Sequence, residues 1–226
     1  MYQGCIFDLD GTLVDSIEAI AYSVNLTFQE LHLPTIPVKD FYTYVGDGYK
    51  VLIERCLRAV KVDVKEYFEV AAVGYKRNFK ANCLYHVTPY EGIVEVLETL
   101  KQQGVKLAIV SNKPHERAKD TVEGVFGLEL FDYIQGEQEE KGIYKKPDVS
   151  GVNYVLEQLG LKKEECLYIG DTNTDMITGK NAGIDTVGVL WGFRTEEELK
   201  EYHPKYIIKD TREILDCVKT VRKNKK

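Results

Sequence analysis

The sequence predicts an α/β fold: a parallel sheet core with helices on both faces, interrupted once by an all-helical insertion. Three observations point there. Short continuous apolar runs recur along the chain, as strands buried on both faces require. Amphipathic stretches of helical period lie between those runs, the alternation of a parallel α/β sheet. One stretch, residues 15–86, has helical pattern and no convincing buried strand.

The first run, Cys5-Ile6-Phe7, ends on an acidic segment and reads as a buried strand. The insertion follows at once. Residues 17–31 and 49–60 are amphipathic, residues 64–79 less clearly so, and Pro34 and Pro37 mark a loop between the first two. A parallel crossover needs only about a dozen residues, and this gap holds about 70. Residues 16–86 are therefore expected to form a separate helical unit, and residues 1–15 and 87–226 the α/β core. Residues 93–103 repeat apolar positions at helical spacing and stop at Gly104, a common residue just past a helix end. Lys106-Leu107-Ala108-Ile109-Val110 is the next strand. Tyr133-Ile134 is a weaker one. A helix over 149–159 follows Pro147 and stops at Gly160; then come the strands Cys166-Leu167-Tyr168-Ile169 and Thr186-Val187-Gly188-Val189. Helices over 195–202 and 211–221 each start at a threonine able to cap them, with a weak strand, Tyr206-Ile207-Ile208, between.

Composition excludes several classes. The chain has 226 residues, of which 44% are hydrophobic and 29% charged, which rules out bulk disorder. Its net charge of −6 lacks the basic footprint of a nucleic-acid binder. No apolar run approaches the roughly 20 residues of a membrane helix. The amino terminus has no basic region and reaches Asp8 too early for a signal peptide. Five cysteines are scattered without a Cys-x-x-Cys pair, which argues against a disulfide framework or a zinc site. Cys5 and Cys166 read as core thiols. These features together predict a cytoplasmic protein. The basic octapeptide 219–226 reads as a solvated helix end.

Four motifs carry chemistry. Asp8-Leu9-Asp10-Gly11-Thr12 follows the first strand, where α/β proteins bind ligands. Two acids at i and i+2 can share a magnesium ion or divide nucleophile and acid roles, and Gly11 lets the backbone turn its N–H groups toward an anion. Ser111-Asn112 offers a hydroxyl at the same sheet edge, although both are also common turn residues. Lys146, pinned by Pro147 before a helix, suits a phosphate counter-charge. The same pair could be an exposed turn, and Lys113-Pro114 shows that Lys-Pro can recur without such a role. Asp171 and Asp175 follow Gly170 at a strand end and a helix start, a pair of hard ligands for Mg²⁺. Asp175 could equally satisfy a helix dipole. His86, His115 and His203 have no partners at metal spacing and read as surface or packing residues. Tyr42, Tyr44 and Tyr49 read as packing residues.

Asp-x-Asp-Gly-Thr, then Ser, then Lys-Pro, then Gly-Asp-x-x-x-Asp, in that order at the edges of one sheet, resembles the haloacid dehalogenase-like superfamily of phosphohydrolases. The resemblance runs from Cys5 to about Leu215. Segments 44–55, 89–93 and 111–114 are similar to phosphoglycolate phosphatases. The acidic run Glu137-Gln138-Glu139-Glu140 and the lack of a second proline after Pro147 depart from that subfamily. The resemblance implies a Rossmann-like core with an inserted helical cap domain. It implies Mg²⁺-dependent hydrolysis of a small phosphorylated metabolite, 2-phosphoglycolate among the candidates, through an aspartyl-phosphate on Asp8. Asp10 is the implied acid and base. The metal is implied on Asp8, on the Asp10 carbonyl and on Asp171, with Asp175 orienting its waters or Lys146. Ser111, Asn112, Lys146, Gly11 and Thr12 are implied to hold phosphate, and Gly46, Gly48, Lys50 and Arg55 to touch the rest of the substrate. For Asp10 to carry a proton near neutral pH, its side chain must point away from the metal. A phosphosugar mutase or a non-catalytic phosphoacceptor would use the same motifs. A monomer or homodimer without membrane or nucleic-acid partners is expected.

Overall fold

A computed structural model describes residues 1–220; most of the basic tail, 221–226, lies outside them. Six strands form one parallel sheet: β1 (Gly4–Phe7), β4 (Lys106–Pro114), β5 (Tyr133–Glu137), β6 (Cys166–Gly170), β7 (Asp185–Val189) and β8 (Tyr206–Ile208). Their spatial order is β5-β4-β1-β6-β7-β8, so the first strand sits inside the sheet. Its register sets Phe7 beside Ile109 on one side and Ile169 on the other. The residues just past these three positions therefore share one sheet edge.

Alternation along each strand assigns the faces. Cys5 and Phe7, with Leu107, Ile109, Leu167 and Ile169, pack under α4 (Ile93–Gln102) and α9 (Glu213–Lys219) through Leu97, Leu100 and Ile214. Ile6, Ala108, Val110 and Tyr168 face the opposite way, onto Val152 and Val155 of α6 (Ser150–Leu159). Full burial of each such aliphatic side chain contributes roughly 1.5–3 kcal/mol.

The inserted segment forms α1 (Ile17–Glu30), α2 (Tyr49–Ala59) and α3 (Val64–Asn82). These helices bury their own apolar cluster, including Phe28, Ile53 and Leu57. Where the chain leaves and rejoins the core it forms a short antiparallel pair, β2 (Val14–Asp15) with β3 (Thr88–Pro89). Two residues per strand are too few for any alternation to show in sequence.

Two helices carried no apolar stripe to reveal them. α5 (His115–Phe126) buries only Ala118, Thr121 and Val122. α7 (Asn173–Ala182) turns inward mainly Thr174, Asp175, Met176, Thr178 and Gly179. Gly179 has a packing reason, since a Cβ there would lie 2.2 Å from Thr186 Cγ2. β4 is also longer than its apolar run and carries Ser111, Asn112 and Lys113 inside the strand, not in a following turn. All five cysteines are buried and unbonded, and burial pushes the Cys166 thiol up to about 12. Among the described residues, no helix is long and apolar enough to cross a membrane.

Candidate active site

The sheet edge set by the β1 register gathers three buried carboxylates. Asp8 follows β1, Asp171 follows β6, and Asp175 lies in the first turn of α7, introduced by the capping Thr172. One oxygen from each lies within 4.8 Å of the others. A single ammonium faces them. Lys146 Nζ is 2.8 Å from Asp8 Oδ1 and 2.7 Å from Asp175 Oδ1, and it is almost fully buried.

Each group is held by neighbours. Asp8 Oδ1 accepts the Leu9 N–H at 2.7 Å. Asp171 accepts the Thr12 hydroxyl at 2.8 Å and the Phe193 N–H at 2.9 Å. Thr12 thus gives its hydroxyl to a carboxylate. Gly11 has φ +90°, and a Cβ on it would fall 2.3 Å from Asp171 Oδ2; only glycine lets this turn approach the acid. Asp175 Oδ2 accepts both the hydroxyl and the N–H of Thr172. Asn112 grips the Lys146 backbone: its Oδ1 accepts the Lys146 N–H at 2.7 Å, and its Nδ2 donates to the carbonyls of Lys146 and Gly46. Its amide positions Lys146, and the residue also lines the cavity above the site.

Asp10 is separate from the carboxylate cluster. Its Oδ1 accepts the Ser16 hydroxyl at 2.6 Å and Lys113 Nζ at 2.8 Å. Lys113 also donates to Thr121 Oγ1 at 3.2 Å. The sequence reading gave Lys113 no role. A lysine at the end of an apolar strand, two residues beyond Ser111, was the available signal, because a lysine buried there needs a paired carboxylate.

Burial and mutual repulsion govern the electrostatics. Burial, then the Asp175 charge, raise the Asp8 carboxyl well above its ordinary value. Burial, then Asp175, push Asp171 up to about 7. Burial opposes the charge on Lys146, but Asp175 and Asp8 outweigh it and hold the ammonium firmly protonated. The folded state thus keeps a proton on Asp171 between about pH 4 and 7 that the unfolded chain releases. Stability then falls as pH rises through that window, by roughly 4 kcal/mol at most from this group. Thermal unfolding in chelating buffer is expected to show a lower Tm at pH 7.5 than at pH 5; a flat or rising Tm would contradict it.

A cavity of about 300 Å³ opens above the cluster, with Asp8, Asp10, Ser111 and Lys113 on the sheet side. Gly46 and Gly48 line it from the inserted segment; Lys50 and Arg55 are not among its lining residues. Arg55 is engaged elsewhere, 2.6 Å from Asp47 and donating to the Tyr44 carbonyl. Asp47 also accepts the Thr174 hydroxyl at 2.8 Å, tying the insertion to α7. Tyr42 packs against Phe193, Tyr44 against Phe41 and Tyr49 against Tyr75. His86 pairs with Glu18, and His115 accepts the Gly136 N–H.

Residues 5–189 match the family model described as haloacid dehalogenase-like hydrolase. The chain belongs to that family. The hydrolase is 34% identical over 219 residues to a phosphoglycolate phosphatase from Colwellia psychrerythraea, covering 95% of this chain and 96% of the relative. It is 33% identical over 218 residues to the pyrophosphatase PpaX from Halalkalibacterium halodurans, covering 94% and 95%. Its fold matches a haloacid dehalogenase-like family hydrolase from Streptococcus pneumoniae with a TM-score of 0.84 at 28% identity, covering 96% and 98%.

Proposed function

We propose that this hydrolase is a phosphatase that cleaves a small phosphomonoester in two displacements at Asp8. The observation that carries the reading is the buried floor itself, where Asp8 is grouped with Asp171 and Asp175, Lys146 bridges Asp8 to Asp175, and an open cavity lies above Asp8. In the first displacement an Asp8 oxygen attacks phosphorus, the bond to the leaving alcohol breaks, and Asp10 gives that oxygen a proton. In the second, Asp10 takes a proton from water, the water oxygen attacks phosphorus, and the Asp8–phosphorus bond breaks. One residue serves both steps because the second reverses the first. Asp10 lines the cavity outside the carboxylate cluster, its side chain fixed in place by Ser16 and Lys113. Lys146 and Ser111 would hold phosphoryl oxygens, a task of charge placement.

The donor set fits a divalent cation. Three buried carboxylates face one ammonium, an excess of negative charge in a desolvated site. Asp8, Asp171 and the Asp10 carbonyl would hold Mg²⁺, with Asp175 fixing Lys146. When bound, the ion supplies compensating charge for the phosphoryl oxygens. Residues 16–86 act in this reading as a cap over a core of residues 1–15 and 87–226.

The test is phosphate release from a panel including 2-phosphoglycolate and inorganic pyrophosphate, with Mg²⁺ and with excess chelator. Turnover that needs Mg²⁺ and stops in chelator is expected. Undiminished turnover in chelator would remove the metal from the reading, and no turnover of any ester would remove the phosphatase.

A further inference from the structure

The cavity above Asp8 has a chemical character that catalysis at phosphorus does not require. Most of its polar groups lie toward the sheet edge, with Tyr49, Lys76 and Lys80 on the inserted helices. Above them the wall is built from Ile20, Val45, Leu52, Tyr75, Phe79 and Phe193. These side chains belong to the apolar cluster of the inserted helices, whose open face is turned toward the phosphoryl site. Charge comes from Lys113, which is committed to Asp10 and Thr121, and otherwise from the exposed Lys76 and Lys80 and from Arg117, already paired with Asp120. At about 300 Å³ the space matches the lower end of small-molecule sites, which span about 300–1,000 Å³. A two-carbon carboxylate would leave much of the apolar wall uncovered and in contact with water.

Resting on the phosphatase reading, we infer that the cavity selects phosphomonoesters whose alcohol carries an apolar body of several carbons. The phosphate lies on the Asp8 floor and the carbon body lies against Leu52, Phe79 and Phe193. Apolar surface of this kind, continuous with a reaction centre, lowers its free energy by covering a ligand's carbon chain.

The n-alkyl phosphates from ethyl to hexyl test this, because the acidity of the leaving alcohol hardly changes along the series. KM is expected to fall about fourfold for each added methylene until the cavity is filled. The kcat/KM for hexyl phosphate is expected to exceed that for 2-phosphoglycolate. Leu52→Asn should lower the hexyl-to-ethyl ratio of kcat/KM about tenfold or more. Val45→Thr, which keeps the side-chain volume and adds a hydroxyl, should lower the same ratio in a variant that disturbs packing less. Turnover of the series with a flat KM, or a preference for 2-phosphoglycolate over every alkyl ester, overturns the inference and leaves the phosphatase standing. Absence of turnover with every ester overturns both.

Discussion

Asp8→Asn is expected to abolish phosphate release while leaving the protein at least as resistant to heat as the parent. Loss of a catalytic nucleophile from a cooperating set costs up to about 10⁶-fold in kcat. The stability half follows from burial. Asp8 shares its pocket with Asp171 and Asp175, and burial raises its carboxyl well above the ordinary range. Asparagine has the same shape, keeps an acceptor for the Leu9 N–H, and removes one desolvated negative charge. Lys146 still pairs with Asp175. Phosphate release and Tm measured on the same sample in chelating buffer at pH 7.5 check both halves. Turnover within tenfold of the parent would rule out Asp8 as nucleophile. A fall in Tm would show that the Asp8–Lys146 pair contributes more than its desolvation costs.

Lys146→Met is expected to fail in the opposite way, losing activity and stability together. It leaves three buried carboxylates without their counter-charge. Removing one partner of a buried pair costs about 3–5 kcal/mol. The loss is expected to be larger at pH 7.5 than at pH 5, because protonation of Asp171, raised to about 7, relieves the repulsion on the acid side. Urea unfolding at the two pH values measures it. An equal loss at both would mean that Lys146 stabilises through its packing and its backbone bonds to Asn112, not through charge.

The sheet was legible because its strands are buried on both faces and so read as unbroken apolar runs. The weak runs at Tyr133 and Tyr206 belong to β5 and β8, the two edge strands, which are shorter of apolar partners. The start of α7 was legible at Asp175 but its length was not, because a helix under a charged site turns threonines and an aspartate inward. At the site, residue type located the carboxylates, since acids at strand ends are uncommon without a task. It did not reveal which partner each polar side chain would take. Thr12 serves Asp171, Asn112 serves the Lys146 backbone, and Arg55 serves Asp47. Those choices depend on loops brought together from distant parts of the chain, for which no local pattern exists. Lys113 was passed over for the same reason: its partner, Asp10, lies on another strand's loop.

The place of β1 has a consequence in time. It is synthesised before either of the strands it pairs with, Lys106–Ile109 on one side and Cys166–Ile169 on the other. A nascent chain therefore carries Asp8 without a partner strand while α1, α2 and α3, whose contacts are nearer in sequence, already have theirs. At about 5–20 residues per second, roughly 10–30 s separate the making of Asp8 from that of Lys146 and Asp175. Asp8 leaves the ribosome well before Lys146, Asp171 and Asp175, so the pocket around it closes only once those later segments have followed.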